Sequence, residues 1–184
     1  MRIKPVPEPP ADLATLAEFQ RAVPLVPGST DDCCARLRDR RDLPSRQRAN
    51  DWLAFLRTLE LARETPRGFV RTDTEPTPES VRNGLRDGVL FVPEALSLLR
   101  AASPAEPVTA ETLFSATRES VPRHDRARDA DWERSWRNRA DRLLRWLALV
   151  DLAALIERDE GLDGECAPDD PGRGYVAGDA LSGA

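Results

Sequence analysis

The sequence predicts a mainly α chain built as two domains of one plan, each closed by a small β-hairpin, and two observations carry that prediction. The first is an internal repeat: residues 46–62 (RQRANDWLAFLRTLELA) return 91 residues later as residues 137–153 (RNRADRLLRWLALVDLA), with seven of the seventeen positions identical. Composition alone would leave roughly one or two identities in a fixed alignment, so the match marks a tandem repeat. Further positions are conservative, including Phe55/Trp146 and Glu60/Asp151. The second observation is the segment that comes after each copy, Pro66-Arg67-Gly68-Phe69-Val70 in the first and Gly172-Arg173-Gly174-Tyr175-Val176 in the second. In both, a turn containing glycine leads into an apolar strand.

The elements of the first copy can be taken in chain order. Residues 1–10 carry four prolines and read as an extended leader. Residues 11–22 place Leu13, Leu16, Ala17 and Phe19 at helical spacing. Ser29 or Thr30 can cap a second helix whose first turn holds Asp31 and Asp32, as the helix dipole favours, and which stops before Pro44. Ser45 can cap the third helix, the one that repeats. On its wheel Ala49, Trp52, Leu53, Leu56 and Leu59 share a core side, with Gln47, Asp51, Ala54 and Thr58 opposite. Residues 61–64 and 69–72 flank the turn Thr65-Pro66-Arg67-Gly68. Three helices ending in a hairpin make a winged helix-turn-helix.

Between the copies, Thr74-Glu75-Pro76-Thr77-Pro78 reads as a stiff connector, with Thr77 as cap and Pro78 at the first position of a linking helix that Gly88 ends. The second copy repeats the plan with a helix over residues 93–102, a helix capped by Thr109, and a long helix from about Asp131. The domains expected are thus 11–73 and 91–179, joined by a linker over 74–90 and trailed by a tail over 180–184. The second wing carries an acidic, Gly-rich insertion over residues 159–170, expected to be poorly packed.

Composition narrows the class. Of 27 basic residues Lys4 is the sole lysine, and 32 acids leave a net charge of −5, which suits a lysine-poor, salt-loving archaeal protein, although a GC-rich genome alone also favours arginine. A strongly basic nucleic-acid binder is not what this balance describes. Neither an apolar stretch of membrane-spanning length nor a signal peptide is recognisable, so a cytoplasmic protein is expected. Cys33, Cys34, Cys166 and His124 would have to serve together in a structural zinc site, and adjacent Cys33 and Cys34 do not fit its usual spacing. Free, buried thiols are expected, with no metal and no cofactor.

Catalytic raw material is scarce. His124 lies in a turn between helices without a companion nucleophile, and no phosphate-binding glycine loop, HExxH or GxSxG motif occurs. Asp163, Glu165, Asp169 and Asp170 lack the alternate spacing of a calcium loop. A non-enzymatic protein is expected. The arginines, in contrast, are unevenly spread: residues 36–48 carry a local charge of +4 and residues 123–145 one of +3, against −6 over residues 157–184. In a winged helix the third helix enters the major groove and the wing tip reaches the backbone. The candidate DNA contacts are therefore Arg46, Arg48, Arg57 and Arg67 in the first copy, with Arg137, Arg139, Arg142, Arg145 and Arg173 in the second. Arg137 with Asp141 and Arg48 with Asp51 have helix-pair spacing, so the same residues can instead pair along a solvated face. Phe55 and Trp146 share one repeat position off the core side and are candidates for an interdomain, dimer or partner contact.

This plan, together with the motif R-x-R-A-[ND]-x-x-L-x-[FW]-L-x-x-[LV]-[ED]-L-A, resembles the tandem winged-helix proteins of archaea and bacteria over about residues 11–178. The resemblance implies one of two roles. One is a winged-helix regulator of transcription binding duplex DNA, the reading that the arginine-rich third helices favour. The other is an acidic tandem winged-helix adapter binding another protein, as kleisin-binding subunits of chromosome-condensing complexes do, which net acidity and Asp51 favour. Fold alone does not choose between them.

Overall fold

The computed structural model describes residues 3–156 and 173–183, and the chain divides into two compact units, Met1–Leu90 and Phe91–Ala184. The first contains α1 (Leu13–Ala22), α2 (Thr30–Arg41), α3 (Arg46–Thr58), β1 (Ala62–Thr65), β2 (Gly68–Arg71) and α4 (Pro78–Gly88). Capping sets the helix starts, because the first turn leaves backbone donors without helical acceptors. Asp12 accepts from the Thr15 N–H, Ser29 from Asp32 and Ser45 from Arg48. Residues 3–10 of the leader have no regular structure, yet Val6 is buried.

The end of α3 fixes the start of the wing. Glu60 turns left-handed at φ 59°, and the Leu61 N–H donates back to the Leu56 carbonyl at 2.9 Å, closing the last turn. Leu61 is thereby engaged with the helix, and the hairpin begins one residue later than the sequence predicts, pairing Ala62 with Arg71 and Thr65 with Gly68. A third edge joins it: Gly28 exchanges two backbone hydrogen bonds with Phe69, at 2.9 and 2.7 Å. Behind the wing, Leu16, Leu37, Leu53 and Leu56 are fully buried, and the Phe19 ring stacks on Trp52 at 3.7 Å.

α4 is the linking helix that the sequence predicts, with Pro78 at its start and Thr77 and Ser80 capping each other reciprocally. It does more than link. Gly84 lies against Leu59 and Gly88 against Thr58, so α4 covers the C-terminal end of α3. Thr58, expected on the solvent side, is consequently buried, and its hydroxyl donates to the Ala54 carbonyl at 3.0 Å.

The second unit contains α5 (Val92–Ala101), α6 (Ala110–Thr117), a 3-10 turn (Arg118–Ser120), α7 (Arg123–Arg128), α8 (Trp132–Leu149), β3 (Ala153–Ile156), β4 (Gly174–Ala177) and α9 (Asp179–Ser182). The construction of the first unit recurs: Asp151 is left-handed at φ 58°, Leu152 N–H donates to the Leu147 carbonyl at 2.9 Å, and Val108 exchanges two 2.8 Å bonds with Tyr175. Each unit is thus a winged helix-turn-helix. Two elements differ from the sequence expectation. The segment containing His124 is the short helix α7 rather than a plain turn, and the tail forms α9, whose Leu181 is buried. The acidic insertion, with Asp163, Glu165, Cys166, Asp169 and Asp170, falls outside the described residues.

Candidate nucleic-acid interface

The outward side of α3 carries residues three and four apart: Gln47, Asn50, Asp51, Ala54 and Arg57. Its charges are largely matched. Arg46 at the first helical position pairs with Asp31 at the start of α2, and Arg57 near the last turn pairs with Glu64 of the wing. Between them the Gln47 amide donates to Asp51 at 2.8 Å, one helical turn on. Asp51 therefore takes Gln47 as its partner and not Arg48, the pairing that the sequence spacing suggests. Arg48 is exposed on the flank of α3 and Arg67 at the wing tip, and among the described residues neither side chain has an ion-pair or hydrogen-bond partner.

The arginines of the second unit are engaged differently. Arg137 pairs with Glu111 of α6 and, at 3.6 Å, with Glu133, and its guanidinium lies 4.6 Å from the Phe114 ring centre. The spacing-based partner Asp141 instead holds Arg145 at 2.9 Å, with about a fifth of each side chain exposed. Arg139 is half-buried, its guanidinium 5.3 Å from the centre of the Trp136 ring. Burial, reinforced by the neighbouring charge of Arg142 and opposed by Asp125, pushes Arg139 down to about 10. Arg173 directly precedes β4 and bonds Tyr175, whose hydroxyl pKa is raised first by burial and then by Asp141. Arg142 is half-buried beside Arg139. Outside the predicted set, Arg118 pairs with Glu133 and Arg134 with Asp131 at 2.8 Å.

The two aromatic candidates correct the expectation of a partner contact. Phe55 and Trp146 are both fully buried within the chain, so neither ring is presented to a second molecule. The sequence wheel leaves Phe55 off the core side, yet in the fold it has neighbours there. Phe55 sits one turn before Thr58 and Leu59, which Gly88 and Gly84 of α4 cover, and meets Trp52 edge-on at 6.3 Å.

The remaining candidates are quiet. Cys33 and Cys34 are buried and free, and desolvation raises both thiols, away from the reactive thiolate. His124 is exposed on α7, 3.5 Å from an Asp125 oxygen. Among the described residues no group of three or more His, Cys, Asp or Glu side chains is placed to hold a metal ion, and no helix is long and apolar enough to cross a membrane.

Helix-pair spacing could announce Glu133 for Arg137 and Asp141 for Arg145, but two of the acids that hold these arginines were beyond sequence reasoning. Asp31 lies 15 residues before Arg46 and Glu111 lies 26 before Arg137, so no helix-pair spacing announces them. Compared with known proteins, residues 1–165 match the model of a family described as a halobacterial double winged helix domain. No curated protein and no solved structure matches the chain.

Proposed function

We propose that this chain, which belongs to the halobacterial double winged helix domain family, is a non-enzymatic, regulatory duplex-DNA-binding protein that contacts DNA through its first winged helix. The observation that carries the reading is the contrast between the two arginine sets. Arg48, on the flank of α3, and Arg67, at the wing tip, are exposed and have no side-chain partner among the described residues, and third helix and wing are the parts with which a winged helix meets DNA. In the second unit Arg137, Arg139, Arg145 and Arg173 are drawn into pairs, rings and half-buried positions. Unit charge runs the same way: residues 1–90 carry 15 basic and 14 acidic side chains, residues 91–184 carry 12 and 18. Duplex binding depends on phosphate neutralisation, which a locally acidic unit opposes.

An anisotropy titration with duplex DNA at roughly 50 mM salt tests it. Arg48→Ala with Arg67→Ala should weaken binding to all sequences and reduce the salt slope by about two, one per contact. Absence of duplex binding by the wild-type chain at that salt overturns the proposal. In that case the adapter reading takes its place, favoured by the acid-matched arginines of the second unit, with another protein as the partner.

A further inference from the structure

We infer that the outward face of α3 reads A·T base pairs in the major groove, with Gln47 and Asn50 as the reading side chains. The inference rests on the DNA-binding proposal above and adds the sequence class recognised. Guanine is read most often by an arginine fork on O6 and N7, adenine by a Gln or Asn amide on N6 and N7, and the thymine methyl by a small apolar side chain. On this face the arginines that would read guanine, Arg46 and Arg57, are held by Asp31 and Glu64 at its two ends. Between them lie Gln47, Asn50 and Ala54.

The amide geometry suits the task. Gln47 spends one amide hydrogen on Asp51, at 2.8 Å, which leaves the second hydrogen to donate to adenine N7 and the carbonyl oxygen to accept from N6. Asn50 is half-exposed, and its side chain has no partner among the described residues. Asp51, whose charge repels phosphate, acquires a role as the anchor that orients Gln47 across one helical turn. Ala54, half-exposed one turn further on, offers the small apolar side chain that a thymine methyl favours.

The test compares duplexes of equal length made wholly of A·T or wholly of G·C pairs, in competition for the full chain at low salt. The expected result is a preference for A·T of about fivefold or more, the lower bound for one good amide–adenine pair. That preference should vanish when 7-deazaadenine replaces adenine, which removes the major-groove acceptor and leaves the minor groove intact. It should vanish equally in Gln47→Ala with Asn50→Ala. Equal binding of the two duplexes overturns the inference. So does a G·C preference, which would mark Asp51 as an acceptor for cytosine N4, or an A·T preference that survives 7-deazaadenine. If the wild-type chain binds neither duplex, it is the DNA-binding proposal itself that fails.

Discussion

Glu60 and Asp151, 91 residues apart, hold the same left-handed backbone at the same place, φ 59° and φ 58°, just beyond the third helix of each unit. Each precedes a leucine whose N–H reaches back five residues, Leu61 to Leu56 and Leu152 to Leu147, both at 2.9 Å. The left-handed turn ends the helix and aims the chain into the wing, so both hairpins leave their helices in one geometry. Glycine is the usual residue at this position, because a Cβ makes the left-handed region cost about 1 kcal/mol or more. This chain uses acids at both.

Glu60→Gly should therefore stabilise its unit, by about 0.5–1 kcal/mol after the extra entropy of glycine in the unfolded chain is counted. The bonds that close each turn are made by backbone atoms and survive the substitution. Thermal melting checks this, with an expected rise of roughly 2–8 °C. Glu60→Val, which adds branching where φ is positive, should move the melting point the other way.

Gln20 supplies a second test. Its side-chain nitrogen lies 3.2 Å from the Leu61 carbonyl oxygen, 3.3 Å from that of Thr72 and 2.7 Å from that of Thr74, tying α1 to both ends of the hairpin from a buried position. Gln20→Glu would aim a carboxylate at three carbonyls and should cost about 3 kcal/mol or more near neutral pH. The introduced acid would have its folded pKa raised, so the stability it does contribute is present at low pH, where it can donate, and is lost as pH rises through that value. Denaturant titrations at about pH 5 and pH 7 should show the variant recovering, relative to wild type, at the lower pH.

Comparison of the two units explains which features could be read in advance. The repeat made the third helix, the wing and their order legible, because apolar spacing, capping residues and turn glycines are all local signals, and Ser29, Ser45, Thr77 and Thr109 cap as the sequence predicts. The hidden features are non-local. The wheel of α3 shows one apolar side, and nothing in it tells that α4 returns to bury Thr58, or that Phe55 is buried as well. The arginine candidates were legible as a set, but the engagement of Arg46, Arg57 and Arg137 depends on Asp31, Glu64 and Glu111, residues that only the tertiary fold brings near.

The covering of α3 by α4 can be probed at Gly84. A Cβ built there would stand 2.7 Å from the Cα of Leu59 and 3.1 Å from its side chain, and the backbone atom cannot yield by a rotamer change. Alanine in a helix interior gains about 1 kcal/mol over glycine from propensity alone. Overpacking a tight contact costs typically about 1–3 kcal/mol, so Gly84→Ala should be neutral to destabilising in spite of its better propensity. A clear rise in stability on urea unfolding would show that α4 does not press on α3 at this point.

Arg139 gives the sharpest contrast with a DNA-contact role. Its Nε and Nη2 are sealed from solvent and have no hydrogen-bond partner among the described residues, while Trp136 lies under the guanidinium. A cation so placed loses hydration and recovers only part of it from the ring, a contact worth about 0.5–2 kcal/mol. Arg139→Met keeps a long, flexible apolar stem and removes the sealed charge, so it should leave stability unchanged or raise it by about 1 kcal/mol. The depressed pKa sets the pH dependence. Wild-type Arg139, at about 10 in the folded chain, releases its proton before the unfolded chain does, so its penalty is full below that value and lessens as pH rises through it. The advantage of Arg139→Met over wild type should accordingly be greatest near neutral pH and shrink above about pH 10. A loss exceeding about 2 kcal/mol at neutral pH would instead mark the guanidinium as a structural tie between α7 and α8. An unchanged affinity for duplex DNA in the same variant would support the assignment of DNA contact to the first unit.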